Sequence, residues 1–417
     1  NVGVGSNHNF HPVPQSHHQH ASALGSDVVH DQDIVGAKPV SVGLPREVFK
    51  LAFPTRQQSG SQEIDGLGVA HASITQTGTE THMVGRGGAS QAKDQVEAVA
   101  GVGGIELGFK KSGFDIAWAN EIDKHCAKTY KENFSHPLYD IDIKELNGAD
   151  LEPVDVLCGG FPCQAFSIAG YQKGFKDDRG NIFFEIIRLV NELKRKPRVL
   201  FLENVKNLKG HDQGRTFKKI IDIISENGYS VFYDVLNTRD YTKVPQNRER
   251  TFLICFEGER NWEFTKDYSK TASYKFSTIF PPEKIKKPES IHKYLEASVD
   301  SKYIYGEDKY MYKDLKEGMT SEDTLYQWRR KYVRENKNNV CPTLTANMGT
   351  GGHNVPLLKQ GNIFRKLTPR ECFNFQGFPK NYKFPEGIGN TQLYKQAGNA
   401  VTVDMIKVLA DLIKKCL

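Results

Sequence analysis

A cysteine placed directly behind a turn rich in glycine and proline is the clearest candidate for chemistry in this sequence. Cys163 ends the run Gly159–Cys163, which follows the apolar segment Val154–Cys158. A thiolate at the end of a buried strand projects into a ligand crevice, where it can act as a nucleophile. Cysteines elsewhere, such as Cys255 and Cys372, fit small apolar core residues better. Cys163 is therefore the predicted nucleophile.

Charged residues at the ends of two further apolar segments form a second candidate group. Glu203 follows Val199–Leu202, and an isolated carboxylate is costly to bury there unless it is paired or functional. Arg248 and Arg250 precede the strand-like segment Thr251–Phe256 at alternate positions, so both could face a base carbonyl, a phosphate or Glu203. Without the other sites, a solvated charged strand end would explain the two arginines better.

A glycine turn ahead of a helix marks a candidate nucleoside site. Gly101, Gly103 and Gly104 let the backbone pass close to a ligand, and the helix that follows offers free N–H groups. Glu121 comes twenty residues after Gly101 at the end of the next strand, where a carboxylate can accept from both ribose hydroxyls. Glu106 replaces the third glycine of a dinucleotide pattern, so S-adenosylmethionine fits better than NAD. A plain tight turn would explain the glycines alone about equally well.

Alternating strands and helices are predicted to position these residues. Short apolar runs typical of buried parallel strands alternate with amphipathic helical stretches. The expected strands are 115–119, 154–158, 199–202 and 251–256, and the expected helices are 106–112, 124–133, 182–194, 216–227 and 403–415. This alternation predicts a doubly wound α/β sheet with ligands at the carboxyl ends of its strands.

The composition divides the chain into unlike parts. Residues 1–95 hold eight of the thirteen histidines, no cysteine and no tryptophan, and they show no sustained hydrophobic period, so we interpret them as a mostly disordered low-complexity segment. Residues 96–417 carry 50 Lys/Arg against 42 Asp/Glu, an excess that permits a polyanionic partner without requiring one. The predicted divisions are a low-complexity segment 1–95, an α/β domain 96–265 that carries the candidate catalytic and cofactor sites, a second, smaller domain 266–389 and a C-terminal segment 390–417 that packs back on the α/β domain.

The chain also lacks the patterns of several other protein classes. No run approaches the roughly 18 apolar residues of a membrane-spanning helix. The seven scattered cysteines do not fit a disulfide framework, and without a CxxC pair they do not indicate structural zinc. A cytoplasmic protein without a metal site or a membrane partner is therefore expected.

Taken in order, the motifs resemble those of bacterial DNA cytosine-5 methyltransferases of type II restriction–modification systems. The matching stretches are Ala100–Gly104, Asn120–Asp123, Gly159–Gly170, Glu203–Leu208, Gln246–Arg250, Arg365–Pro379 and Gln396–Val401. Any one stretch could occur by chance, whereas the series in this order is specific. The resemblance implies a Rossmann-like S-adenosylmethionine-dependent domain with a smaller target-recognition domain.

The resemblance also implies roles for the motif residues. Cys163 would add to carbon 6 of cytosine, and Glu203 would hold ring nitrogen 3 and the amino group. Arg248 and Arg250 would orient Glu203 and the base carbonyl. Since a stacked duplex hides these atoms, the cytosine must be flipped out. The implied cofactor contacts are Gly101, Gly103, Gly104, Glu121, Asp142 (to the adenine amino group), Pro162 and Asn399.

Double-stranded DNA is the implied partner, and a variable region over about 266–364 is expected to recognise it. The basic run from Gln327 to Lys337 carries aromatic residues, as phosphate contacts require. The predicted DNA-binding residues are Gln164, Ser167, Arg329, Arg330, Thr343, Leu344, Gly351 and Gly352. A monomer is expected, and a cognate restriction endonuclease would share the target site without stable binding.

Two alternatives to this interpretation remain open at the level of sequence. An RNA cytosine methyltransferase is one, although no Cys-Phe-Thr motif is present and the long variable region favours duplex DNA. The other is a catalytically impaired DNA-binding homologue. Family members usually enter the glycine turn through Asp-Leu-Phe, whereas this chain has Glu97-Ala98-Val99, which suggests that the segment upstream is foreign or divergent.

Overall fold

A mixed sheet forms the centre of the part of the chain that the computed structural model describes: residues 95–99, 101–161, 181–258, 273–275, 282–329, 331–350 and 354–417. Its strands are β1 (Gln95–Val99), β2 (Asp115–Asn120), β3 (Leu138–Tyr139), β4 (Val156–Gly160), β5 (Val199–Val205), β6 (Tyr229–Asn237), β7 (Glu249–Glu257) and β8 (Ser273–Lys275). They lie in the order β3-β2-β1-β4-β5-β7-β6-β8. β7 is antiparallel to both neighbours, and the other pairs are parallel.

Helices cover both faces of this sheet. The helices are α1 (Gly104–Lys111), α2 (Lys124–Lys131), α3 (Asn181–Glu192), α4 (Arg215–Glu226), α5 (Thr238–Tyr241), α6 (Tyr312–Gly318), α7 (Pro369–Asn374), α8 (Asn390–Asn399) and α9 (Val403–Cys416). Leu200 and Leu202 of β5 belong to one core cluster with α3 and α4. Phe201, which points the other way on the same strand, packs in a second cluster with α1 and α9.

This architecture confirms the predicted α/β fold class. Each strand and helix predicted from the apolar periods is present, with ends shifted by a few residues at most. The predicted strand 154–158 runs instead from Val156 to Gly160, so the glycine pair lies within it. β8 joins the large sheet beyond residue 265, where the catalytic domain was expected to end.

A second, smaller sheet carries the variable region. Its strands are β9 (Tyr326–Trp328), β10 (Val333–Glu335), β11 (Leu357–Gln360) and β12 (Ile363–Lys366), in the order β10-β9-β11-β12 and antiparallel throughout. One face of this sheet packs on α6 through a cluster that includes Tyr326, Trp328, Leu315 and Met319. The alternate residues of the strands therefore face away from that helix.

A buried ion pair fastens the small sheet to α7. Arg365 of β12 donates to both oxygens of Glu371 at 2.7 and 2.8 Å, and both side chains are fully buried. Glu371 also accepts from the backbone N–H of Thr368 and of Glu296. Arg365 and Glu371 of this motif therefore have a structural role.

The low-complexity segment 1–95 was predicted to be disordered. Its residues 1–94 lie outside the described part of the chain, and residue 95 begins β1. Among the described helices, none is long and apolar enough to cross a membrane. In the same part of the chain, no group of three or more acidic, histidine or cysteine side chains could hold a metal ion.

Candidate active site and nucleic-acid interface

The carboxyl ends of the central parallel strands bring several of the candidate site residues to one edge of the sheet. β4, β5 and β6 all end at this edge, and β7 begins there because it is antiparallel to β5 and β6. Gly160 of β4 is the register partner of Glu203 of β5, and Arg250 of β7 is the partner of Val205. The α/β topology therefore brings together motifs that are far apart in the sequence.

Glu203 and Arg250 form an ion pair at this edge. Arg250 Nε lies 2.9 Å from Glu203 Oε1, and the two side chains are only 16% and 14% exposed. Burial raises the pKa of the Glu203 carboxyl, and the positive charges of Arg250 and Arg248 oppose that rise. A carboxyl in this setting can hold a proton nearer neutral pH than an exposed glutamate can.

The chain that leads to the predicted nucleophile passes beside Glu203. A Cβ atom on Gly160 would lie 3.6 Å from Glu203 Oε2, so the glycine backbone runs close to the carboxylate. Asn204 donates to the Phe161 carbonyl at 2.6 Å and holds the end of β4 in place. Cys163 follows three residues after Gly160. Cys163, Pro162, Gln164 and Ser167 lie outside the described residues.

Arg248 has a different environment from the one predicted for it. It is 2% exposed, and its guanidinium donates to the carbonyls of Leu344, Gly398 and Ala400 at 2.7, 3.2 and 2.6 Å. None of its hydrogen bonds goes to Glu203, on which it acts only through charge. The predicted pair of orienting arginines is thus corrected: Arg250 holds the carboxylate, and Arg248 joins three backbone segments. Three carbonyl acceptors offset part of the cost of burying this guanidinium, whose Nε has no hydrogen-bond partner among the described residues.

Two buried glutamines extend the hydrogen-bond network around Arg248. Gln246 donates to the Phe375 carbonyl at 2.6 Å and to Gln376 Oε1 at 3.1 Å. Gln376 in turn donates to the carbonyls of Ala397 and Ala400. These contacts link the start of β7 to the connection after α7 and to the end of α8, so most of the Gln-x-Arg-x-Arg motif is structural.

The glycine turn between β1 and α1 requires its glycines. Gly101 and Gly103 have φ of +54° and +79°, a region that favours glycine. A Cβ atom on Gly103 would lie 2.1 Å from the ring of Phe134, and one on Gly104 would lie 3.0 Å from Val401. Around Gly101, in contrast, the described residues leave the space of a Cβ open. The backbone is thus held tightly on one side and is accessible at Gly101.

Some of the other predicted cofactor residues lie near this turn. Glu121, directly after β2, accepts from the Asp123 N–H at 2.7 Å, and burial raises its pKa while backbone hydrogen bonds, including one from Gly101, oppose the rise. Asn399 is exposed at the end of α8, two residues before Val401 at the turn. Asp142 caps a short 3₁₀ turn by accepting from Lys144 N–H at 3.1 Å.

Glu106 is a buried acid that the sequence analysis treated only as a missing glycine. It is fully buried on α1, and the hydroxyl of Tyr130 donates to its Oε1 at 3.0 Å. Burial raises its pKa to about 8. Tyr130 also contacts His136 Nε2, whose pKa burial lowers to about 4. A carboxyl one turn into a helix with a strongly apolar face would have been the signal for this position.

A polar cleft of about 560 Å³ lies where the small sheet meets the catalytic edge. Arg329 and Thr343 line it as predicted contacts, and Thr343 Oγ1 donates to the Asn247 carbonyl at 2.6 Å. Leu344 differs from the exposed contact that was predicted, because its side chain is fully buried in the core. Arg330, Gly351 and Gly352 lie outside the described residues. Arg334 and Asn336 of the predicted basic run and Asn247 of the Gln246–Arg250 motif also line the cleft, whereas Arg239, Asn338 and Asn347 were not predicted.

Comparison with known proteins identifies the family. The profile described as "C-5 cytosine-specific DNA methylase" matches residues 94–415. The chain belongs to this family. The type II methyltransferase M.Bsp6I of Bacillus sp. (strain RFL6) is 51% identical over 322 residues, covering 76% of this chain and 96% of that protein. M.HhaI of Haemophilus parahaemolyticus is 35% identical over 330 residues, with coverages of 76% and 92%.

Solved structures support the same fold for this C-5 methylase family member. The S. pombe Dnmt2 methyltransferase superposes with a TM-score of 0.59 at 15% identity, covering 78% of this chain and 98% of that one. At that identity the likeness concerns the fold alone. Together with the close sequence relatives, the family match confirms that the protein is a DNA (cytosine-5) methyltransferase of the bacterial restriction–modification type.

Proposed function

We propose that this methyltransferase modifies carbon 5 of a cytosine flipped out of a specific duplex sequence, through a covalent adduct with Cys163. The observation that carries the proposal is the placement of Glu203. Its carboxylate is paired with Arg250 and lies against Gly160, three residues before the cysteine. A nucleophile and a proton-bearing carboxyl at neighbouring strand ends are the two groups that this chemistry needs.

The Cys163 thiolate adds to carbon 6 while Glu203 gives a proton to ring nitrogen 3, so the electron pair of the 5,6 double bond becomes available at carbon 5. Carbon 5 would then take the methyl group, while the carbon–sulfur bond of the donor breaks and its electron pair stays on the donor's sulfur. A base removes the proton from carbon 5, the double bond re-forms and the thiolate leaves as nitrogen 3 returns its proton to Glu203. Arg250 keeps the carboxyl oriented throughout and reduces the cost of its ionised form.

The glycine turn fits S-adenosylmethionine as the methyl donor. When bound, this cofactor supplies an electrophilic methyl group on a sulfonium. The open backbone at Gly101 and the carboxylate of Glu121, which is hydrogen-bonded within the same turn, can hold a ribose without a pyrophosphate. Gly103, Gly104 and Asn399 lie around the same turn. Asp142 and Pro162 remain proposed contacts to the cofactor.

Double-stranded DNA is the proposed substrate because the polar cleft lies at the catalytic edge. Arg239 and Asn247 of the connection between β6 and β7 line this cleft together with Arg329 and Arg334 of the β9–β10 hairpin. Cationic and amide side chains of this kind contact phosphates and base edges. We further propose that methylation protects the host DNA from a cognate restriction endonuclease that cleaves the same sequence.

The experiment that tests this proposal is methylation of plasmid DNA by the full chain with labelled S-adenosylmethionine, followed by bisulfite sequencing. Methylated cytosines within one repeated sequence are the expected result. Cys163→Ser should abolish the signal and should no longer trap DNA that contains 5-fluorocytosine, because a serine alkoxide is inaccessible near neutral pH. A serine variant that still forms the covalent complex would contradict the nucleophile assignment.

A Glu203→Gln variant tests the role of the carboxyl separately. Glutamine keeps the shape and can still hydrogen-bond Arg250, but it has no proton to transfer to ring nitrogen 3. Methyl transfer should fall by about 10²–10⁴-fold, the range typical for loss of a general acid. Affinity for the cofactor should stay within about three-fold, because Glu203 is not among the proposed cofactor residues.

A further inference from the structure

The hairpin β9–β10 presents two chemically different faces. Tyr326 and Trp328 pack inward against α6. Gln327 points to the other side of the ribbon, directly opposite its register partner Arg334. Arg329 lies two residues beyond Gln327, and its guanidinium reaches the same amide. The outer face therefore carries two cations around one neutral polar side chain.

Gln327 holds both guanidinium groups in place. Its Oε1 accepts from Arg329 Nη2 at 3.2 Å and also from Arg334 Nη2. A carboxylate at this position would bind the two cations more strongly but would cancel one of their two positive charges. The amide orients them while the charge is preserved, and each guanidinium has five N–H donors, more than Gln327 can use. Two aligned, exposed arginines suit a partner that presents pairs of acceptor atoms.

This face lines the polar cleft at the catalytic edge. Gln327, Arg329 and Arg334 of the hairpin line the cleft, and so do Arg239 and Asn247. The latter two belong to the connection between β6 and β7, which leaves the same sheet edge that carries Glu203. A duplex seated at the active site would thus meet the outer face of the hairpin.

We propose that β9–β10 enters the major groove as a two-stranded ribbon and that Arg329 and Arg334, oriented by Gln327, read guanine bases of the recognition sequence. The inference rests on the proposed function, since it needs duplex DNA as substrate. The major groove is wide enough for such a ribbon, and an arginine fork matches O6 and N7 of guanine. The hairpin therefore determines specificity rather than only attracting phosphates.

The test measures the ratio of dissociation constants for a scrambled and a recognised duplex. The recognised sequence is first selected by binding from a random duplex library, which does not depend on methyl transfer. Arg334→Ala should lower the ratio by about 5- to 150-fold. Arg334→Lys keeps the charge but loses the fork, so it should lower the ratio while affinity for the scrambled duplex stays within about two-fold. Gln327→Met, which removes the shared acceptor, should also lower the ratio.

Lys313→Ala is the matched control. This side chain on α6 is 83% exposed, and the helix packs on the opposite face of the hairpin, so the variant loses one positive charge without touching the ribbon's outer face. Its ratio should be unchanged.

An equal loss of affinity for both duplexes in Arg334→Ala, with a smaller salt dependence, would show a phosphate contact and overturn the proposal. An unchanged ratio in all three ribbon variants would overturn it as well. Failure of the proposed function would look different, because wild-type protein would select a sequence without methylating it, and the ratio would still test the ribbon.

Discussion

Replacing Glu106 by glutamine should remove a pH dependence from the stability of this methyltransferase. The carboxyl is fully buried, Tyr130 donates to one oxygen, and the other oxygen is buried with no hydrogen-bond partner among the described residues. Burial raises its pKa from 4.5 to about 8, although its own backbone N–H and Tyr130 favour the ionised form. Folding therefore keeps a proton on this group that the unfolded chain releases.

The sign and size of the effect follow from proton linkage. A group with a raised pKa in the folded state stabilises fully below its unfolded pKa of 4.5, and this stability is lost as the pH rises towards about 8. Each pKa unit corresponds to about 1.4 kcal/mol. Between about pH 5 and about pH 7.5 the wild type should thus lose roughly 3 kcal/mol of unfolding free energy relative to Glu106→Gln. The amide is never charged, so the variant pays no such cost.

Urea unfolding followed by circular dichroism at several pH values measures this difference. His136 is present in both proteins, so its titration largely cancels when the two free energies are subtracted. Glu132→Gln, which changes an exposed carboxyl just after α2, is the matched control and should show no comparable trend. A difference between Glu106→Gln and wild type that stays flat over this range would refute the reasoning.

Three further predictions follow from the structure and the sequence. Gly103→Ala should lower the unfolding free energy by about 2–4 kcal/mol, because the residue has a positive φ and a Cβ atom would overlap the ring of Phe134. Gly210 lies in open space, so Gly210→Ala should lower it by under about 1 kcal/mol in the same denaturation assay. Arg365→Met leaves a buried carboxylate unpaired and should cost about 3–5 kcal/mol, against under about 1 kcal/mol for the exposed pair broken by Lys131→Met. Changing residues 97–99 to Asp-Leu-Phe should tighten S-adenosylmethionine binding about three- to ten-fold by calorimetry, because an aromatic ring can stack on adenine; unchanged affinity would contradict this.

The sequence alone determined the fold class and the main candidate residues. Apolar periods along β4, β5 and β7 are local properties of the chain, so they predict strands without knowledge of packing. Residues directly after such strands, such as Glu203 and Glu121, must lie at one edge of a parallel sheet, which is why their neighbourhood could be inferred. The family resemblance then supplied the chemistry expected of Cys163, and the comparisons confirmed the family.

Only the tertiary structure decided which motif residues face a ligand and which hold the fold together. Arg248 and Arg250 look equivalent in sequence, yet one binds carbonyls about 100 and 150 positions away and the other pairs with Glu203. Leu344 was predicted to contact DNA and its side chain is buried in the core, whereas Arg239 was not predicted and lines the cleft. These outcomes depend on contacts between distant segments, and no local pattern encodes the packing that brings such segments together.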